Sequence, residues 1–392
     1  MSELRRVLGV RGAAIVGVGA MLGTGVFAAW TPAVDLAGSA LLIALAGAAV
    51  VAALNAVSTG SLARSLPQSG GVYAYGRAYL HRSAGVVAGY AFVVGKAASA
   101  GAAALTIGAY TWPGYERIIG LIAVALALGL DLRGIVKSVR VTAVLVAIVL
   151  MVLGILAVAV LGTSADFTPV AGAVAAPTSL MSVLAAAGIL FVAFAGYARI
   201  TVLGEEVRDP ARTIPRAMVM SFVVVIVVYA VLALAVLLAV HAGVTLTDAP
   251  LESVAMALDS PALVTAVRIG AVIAAGGALL SLIAGIGRTL FAMGRGGDAP
   301  HALSMVGERT RVPSRAAMTA AVLAAMIVLI GGIAFALALS AASILTYYAI
   351  AHLAVFARVR SGDARRWLGL ISGLGLMGCA ALVVGLVVSA LA

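Results

Sequence analysis

Between Arg315 and Arg358 the chain runs for 42 residues without an Asp, Glu, Lys or Arg. One helix of that length would measure ~63 Å, about twice the ~30 Å hydrocarbon core of a bilayer. The run must therefore hold two membrane-crossing helices, and a turn between them is expected near Ser340. Comparable apolar runs recur at about 12–31, 37–62, 83–110, 114–130, 141–161, 180–203, 217–240, 264–287, 316–335, 338–357 and 367–391. That makes about eleven spans, each near the ~20 residues that cross a bilayer as a helix; 114–130 is the shortest. Apolar residues are 64% of the chain and charged residues only 10%, against roughly 25% charged in a soluble domain. A soluble fold could not cover so much apolar surface. Disordered chains are poor in such residues, and a membrane β-barrel would alternate polarity along strands of about 10 residues. The expected fold class is an all-α polytopic membrane protein, with residues 1–392 forming a single transmembrane domain.

The basic residues give the orientation. With the N-terminus cytoplasmic, 21 of the 25 Lys and Arg residues fall in inner segments. These are Arg5, Arg6 and Arg11; Arg64, Arg77 and Arg82; Arg133, Lys137 and Arg140; Arg208, Arg212 and Arg216; Arg288, Arg295, Arg309, Arg311 and Arg315; and Arg358, Arg360, Arg365 and Arg366. Outer segments hold only Arg117 and Arg268, while Lys96 and Arg199 fall inside spans. This is the positive-inside asymmetry. It predicts a multi-pass protein of the cytoplasmic membrane, N-terminus inside and C-terminus outside. It also accounts for the net charge of +11 without a nucleic-acid partner; the inner arginines read as topology signals and lipid contacts. The first apolar run reads as a span and not as a cleavable signal. The bias of Arg over Lys, with abundant Ala, Val and Gly, fits a GC-rich bacterial gene. The single cysteine, Cys379, closes no intrachain disulfide and suggests no metal cluster.

Two spans look interrupted. The first reads Gly17-Val-Gly-Ala-Met-Leu-Gly23-Thr24-Gly25, and glycine costs up to ~1 kcal/mol per residue in a helix relative to alanine. In lipid a break is tolerated where the freed backbone groups line a cavity or meet a ligand. The sixth span carries Phe194-Ala195-Gly196-Tyr197-Ala198-Arg199, with one glycine beside a polar aromatic and a charge. Broken helices in matching positions of two repeats point to a transporter site. The alternative for Gly19 and Gly23 is a GxxxG helix-packing motif. A dinucleotide loop is excluded, because Leu22 occupies the third glycine position and no strand precedes it.

The stretch GVGAMLGTGVF at 17–27 resembles the first helix of the amino acid–polyamine–organocation (APC) transporters. PQSGGVYAYGRAY at 67–79 and FAGYARITVLGEEVRDPARTIPRAM at 194–218 are similar to two further motifs of that family, and RTLFAMGRGGDAP at 288–300 is a weaker match. The resemblance implies a LeuT-like fold of five plus five inverted helices, here about 12–161 and 180–357, with 367–391 as one extra C-terminal helix. It implies a substrate site between the unwound parts of helices one and six. Gly23, Thr24 and Gly25 would then meet a substrate carboxylate. The carbonyls of Met21, Phe194 and Ala195 beside Gly196 would meet an ammonium, and Phe27 and Tyr197 would cover the site. The chain departs from the family in three places. It stops after eleven spans where many relatives have twelve. Val149 falls where many carry a lysine that replaces sodium. Ala198, followed by Arg199, stands where many have Glu.

Lys96 lies mid-way through the third span, where an ammonium costs ~2.5–3.5 kcal/mol on insertion scales. Lys96, Arg199 and Ser281 are the candidates for coupling. For each a bland reading stays open: snorkelling for Lys96, snorkelling or pairing with Glu205 or Glu206 for Arg199, and an interhelical hydrogen bond for Ser281. Thr289 is a like case. Tyr347 and Tyr348 read as packing or as a gate, and His352 as interfacial. The expected function is secondary transport of amino acids or related amines by alternating access. No cofactor is expected beyond a possible coupling proton, with sodium less favoured, and no nucleotide motif points to ATP. The partners are a small-molecule substrate and membrane lipid. The rivals are an amino-acid-gated channel or a non-transporting sensor on the same fold. An intramembrane enzyme would need acid pairs, HExxH or a Ser/Lys dyad at depth, and only Lys96 and Arg199 sit there as charges.

Overall fold

The computed structural model describes residues 8–66, 70–134, 139–163, 179–201, 207–306 and 313–391. Arg5, Arg6, Lys137, Glu205, Glu206, Arg309 and Arg311 lie outside the described residues. The regular structure is helical, in the order α1 (Val10–Met21), α2 (Thr24–Ala28), α3 (Trp30–Ala37), α4 (Leu41–Ser65), α5 (Val72–Tyr79) and α6 (Arg82–Thr111). There follow α7 (Glu116–Leu132), α8 (Val139–Thr163), α9 (Leu180–Phe194), α10 (Ala198–Thr201), α11 (Pro210–His241) and α12 (Pro250–Met256). The last four are α13 (Pro261–Arg295), α14 (Ser314–Ile330), α15 (Ile333–Arg360) and α16 (Arg366–Leu391). An isolated bridge joins Leu8 to Val207, where the Arg208 N–H donates to the Leu8 carbonyl at 2.9 Å.

Among the described residues nine helical stretches are long and apolar enough to cross a membrane. α7 and α14 have 17 residues each, or about 26 Å, at the lower end of what spans a bilayer; they stand at the fourth and ninth expected spans. Large apolar side chains face outward from several of these helices: Leu126 on α7, Val158 on α8 and Met377 on α16 are all exposed. In water such a belt would be a liability; in lipid it is the expected surface.

The turn in the long uncharged run is not at Ser340. It falls at Gly331-Gly332, which are extended between α14 and α15. Two consecutive poor helix formers outweigh the equal division that the length suggested. Ser340 is buried inside α15, its hydroxyl 2.6 Å from that of Ser99 on α6. A second turn returns the chain after the first span: Gly38 has φ +49° and ψ −124°, open to glycine and hardly to anything with a Cβ.

His352 is fully buried and not interfacial. Its Nε2 lies 2.7 Å from Oδ1 of Asn55 on α4, and the Cys379 thiol of α16 donates to the same oxygen at 3.3 Å. Gly375 makes room for the imidazole, since a Cβ there would overlap its ring. With Ser58 and Ser372 hydroxyls 3.1 Å apart, this polar seam fixes the last helix against α4 and α15.

Candidate functional site

The first span breaks within its glycine-rich run. The Leu22 N–H closes the last bond of α1, to the Val18 carbonyl at 2.7 Å. Leu22 and Gly23 then leave helical geometry, and α2 restarts at Thr24. In the sixth span α9 ends at Phe194 and tightens into a 3-10 turn over Ala195–Tyr197 before α10. A helix that stops exposes carbonyls, and one that restarts exposes N–H groups.

The two breaks touch backbone to backbone. A Cβ on Gly196 would overlap the Ala20 carbonyl and lie 2.6 Å from the Met21 nitrogen, and one on Gly25 would lie 2.5 Å from Cα of Ala193. Glycine is required at both places for this approach. The space beside Gly25 is thus filled by α9, so a side chain there would push helices apart before it met any ligand. Gly23 faces Ala278 of α13, 3.1 Å from where its Cβ would be.

Thr24 is 8% exposed, and its hydroxyl is buried with no hydrogen-bond partner. Leaving such a group unmet costs ~1–3 kcal/mol. The Met21 carbonyl, freed by the break, accepts from the Tyr229 hydroxyl of α11 at 2.6 Å. The same hydroxyl lies 3.1 Å from the Ala193 carbonyl of α9. Phe27, Phe194 and Tyr197 are fully buried around these groups. Phe194 packs edge-on to Tyr229 at 5.0 Å, and the Tyr197 ring stacks on Tyr348 at 5.6 Å. Orphan donors and an unmet hydroxyl on one strand of the break, and carbonyls on the other, suit a zwitterion: carboxylate to the first, ammonium to the second. No side chain of Asp or Glu occurs in α1, α2, α6, α9, α11 or α13.

The other sequence candidates make contacts of their own. Lys96 is in α6, its ammonium 5.9 Å from the centre of the Phe92 ring, and makes no ion pair among the described residues. Arg199 is exposed on α10. Ser281 is exposed on α13 and donates to the Gly277 carbonyl at 3.0 Å; Thr289 donates likewise to Gly285. Val149 is buried in α8, one turn from Val146, which faces Gly19, and one from Val152, which faces Gly270. Tyr347 accepts from the Val72 N–H at 3.0 Å and packs against Phe92 and Tyr348.

Two further clusters, at residues that the sequence did not single out, tie helices of the bundle together. On the expected outer side, the Tyr110 hydroxyl donates to the Phe27 carbonyl at 2.8 Å and accepts from the Leu251 N–H at 3.2 Å. It thereby ties α2 and α6 to α12. Glu252 of α12 pairs with Arg268 of α13 at 2.5 Å. On the expected inner side, Asp298 is the hub: its side chain is 1% exposed and meets Arg77, Arg82 at 2.8 Å and the Tyr73 hydroxyl at 2.7 Å. Burial alone would raise the Asp298 carboxyl, but the Tyr73 hydroxyl and the two guanidinium groups hold it below the usual carboxylate range. Asp298 lies just after α13, and its partners are on α5 and at the start of α6, so the hub joins two distant stretches of chain.

Comparison with known proteins agrees with this architecture. The profile of the amino acid permease family matches residues 8–392. An uncharacterized transporter of Mycobacterium tuberculosis is 42% identical over 392 residues, covering 100% of this chain and 88% of that protein. The branched-chain amino acid permease of Bacillus subtilis is 27% identical over 346 residues, 79% of this chain and 72% of that one. A vacuolar cationic amino acid transporter of Arabidopsis thaliana is 26% identical over 350 residues, 82% and 55% respectively. These relatives are transporters and permeases, not enzymes. With broken helices in contact, a belt of outward apolar side chains and a profile match over nearly its whole length, the chain belongs to the amino acid permease family of multi-pass membrane transporters.

Proposed function

We propose that the protein carries amino acids across the cytoplasmic membrane by alternating access, as a secondary transporter, with its site at the two helix breaks. The observation that carries this reading is the contact of the breaks at Gly196 and Met21, with the unmet Thr24 hydroxyl beside it. Such a pair of half-helix ends gives a zwitterion both of its counter-charges without a charged side chain. The closures at Tyr110–Leu251 and at Asp298 are suited to open in turn, one bundle of helices rocking against the rest. The fold in this reading is two inverted five-helix repeats, about 12–161 and 180–357, with 367–391 added, eleven spans in all, N-terminus inside and C-terminus outside.

The substrate in this reading has an uncharged side chain. α1, α2, α6, α9, α11 and α13 carry no carboxylate to pair with a second ammonium, Glu252 of α12 is engaged by Arg268, and Phe27, Phe194 and Ala278 offer apolar contact. Of the substrates named for the relatives, branched-chain amino acids fit this surround better than cationic ones. Coupling falls to a proton in preference to sodium, with Lys96 the group at membrane depth that would carry it. A thermal-shift screen of the purified protein against L-amino acids and polyamines tests the site, because a ligand that binds the native state raises its apparent stability. Neutral aliphatic amino acids should raise Tm and polyamines should not. A shift with polyamines alone would overturn the amino acid assignment.

A further inference from the structure

The Tyr229 hydroxyl lies where two carbonyls from different parts of the chain converge, Met21 at the end of α1 and Ala193 near the end of α9. Its ring is 1% exposed and fixed edge-on by Trp30 at 6.3 Å and Phe194 at 5.0 Å. We propose that Tyr229 is an internal stand-in for the substrate ammonium. It occupies the carbonyl half of the site when the carrier is empty and yields it when an amine arrives. The inference rests on the reading of the two breaks as an amino acid site.

The physical case is one of donors and acceptors. A carbonyl freed by a helix break in a dry interior must find a donor, since no bulk water reaches it. A phenol has one O–H to give, and here it serves the Met21 carbonyl at 2.6 Å and is shared at 3.1 Å with Ala193. An ammonium has three N–H donors and would satisfy both carbonyls outright. The site also treats its two halves differently. The carbonyl half has its surrogate built in, whereas the Thr24 hydroxyl of the opposite half has none. The empty site can therefore close without bare carbonyls, which is what a carrier needs if it returns across the membrane unloaded.

Tyr229→Phe keeps the ring and removes only the competing donor. Binding is followed by thermal shift with L-leucine, L-isoleucine and L-valine, and with the corresponding carboxylic acids that lack the amino group. The empty variant should melt lower than the parent. Its affinity for the amino acids should rise roughly tenfold, the effect of one buried carbonyl left unmet in the empty state, while affinity for the des-amino acids stays unchanged. In vesicles the variant should keep exchange of labelled for unlabelled amino acid but lose several-fold in net uptake, because only net uptake requires the empty carrier to return. Unchanged or weaker amino acid affinity, or an equal change for both ligand series, would overturn the proposal while leaving the amino acid site standing. A variant that unfolds in detergent and in vesicles alike would make Tyr229 a structural staple and overturn it too. If the parent itself binds no amino acid, the reading of the site fails, and this inference with it.

Discussion

Thr24 and Gly196 show how little of the proposed site is side-chain chemistry. The Thr24 hydroxyl is an unmet polar group at 8% exposure, so it lowers the stability of the empty protein. Thr24→Val removes that group at nearly constant volume. The variant should melt a few degrees higher when empty and bind neutral amino acids roughly ten- to a hundredfold more weakly, since a hydrogen bond to a charged group contributes ~1.5–3 kcal/mol. Thermal melts with and without ligand check both signs; a lower melting point with unchanged affinity would make Thr24 a packing residue. Gly196→Ala drives a methyl into the Ala20 carbonyl. It should separate the breaks, lower Tm and abolish binding together. The break at Gly23 and the interruption at Gly196 were legible because glycines in an apolar run are visible in a linear string. Tyr229 and Tyr110 were not, because a tyrosine in an apolar run looks the same whether it faces lipid or a carbonyl 208 residues away.

Among the helices, the interruptions of spans one and six were legible from their glycines, and the short α7 from its length. The turn at Gly331-Gly332 is not legible from charge spacing, because the local glycine pair sets it. His352 looked interfacial because it lies one and a half turns before Arg358; only the fold brings Asn55 and Cys379 to it. The Asp298 hub carries its own prediction. Its carboxyl is held below the usual range, so its contribution is complete above the unfolded carboxylate value of ~3.9 and is lost as pH falls through the depressed folded one. The inner closure should therefore hold steady between about pH 5 and 8, and any pH dependence of uptake in that window must arise elsewhere. Asp298→Asn leaves two arginines without their carboxylate and should weaken the closure by about 2 kcal/mol, moderated by the exposure of Arg82. Amide exchange of α5 should quicken equally at pH 5 and pH 8; a difference between the two would mean that another titrating group holds this closure.

For the whole molecule, the charge asymmetry predicts eleven spans with the C-terminus outside. A C-terminal alkaline phosphatase fusion should be active and a fluorescent-protein fusion dark; the reverse would remove one helix and undo the two-repeat arrangement. The central claim is that a closed site, sealed at Tyr110 on one side and at Asp298 on the other, passes an amino acid by opening to each side in turn. Counterflow in proteoliposomes tests it most directly. Vesicles loaded with unlabelled leucine, isoleucine or valine and diluted into trace label of the same amino acid should accumulate label transiently above its outside concentration. A channel would only equilibrate the label and a sensor would take up none, and either result would contradict the account.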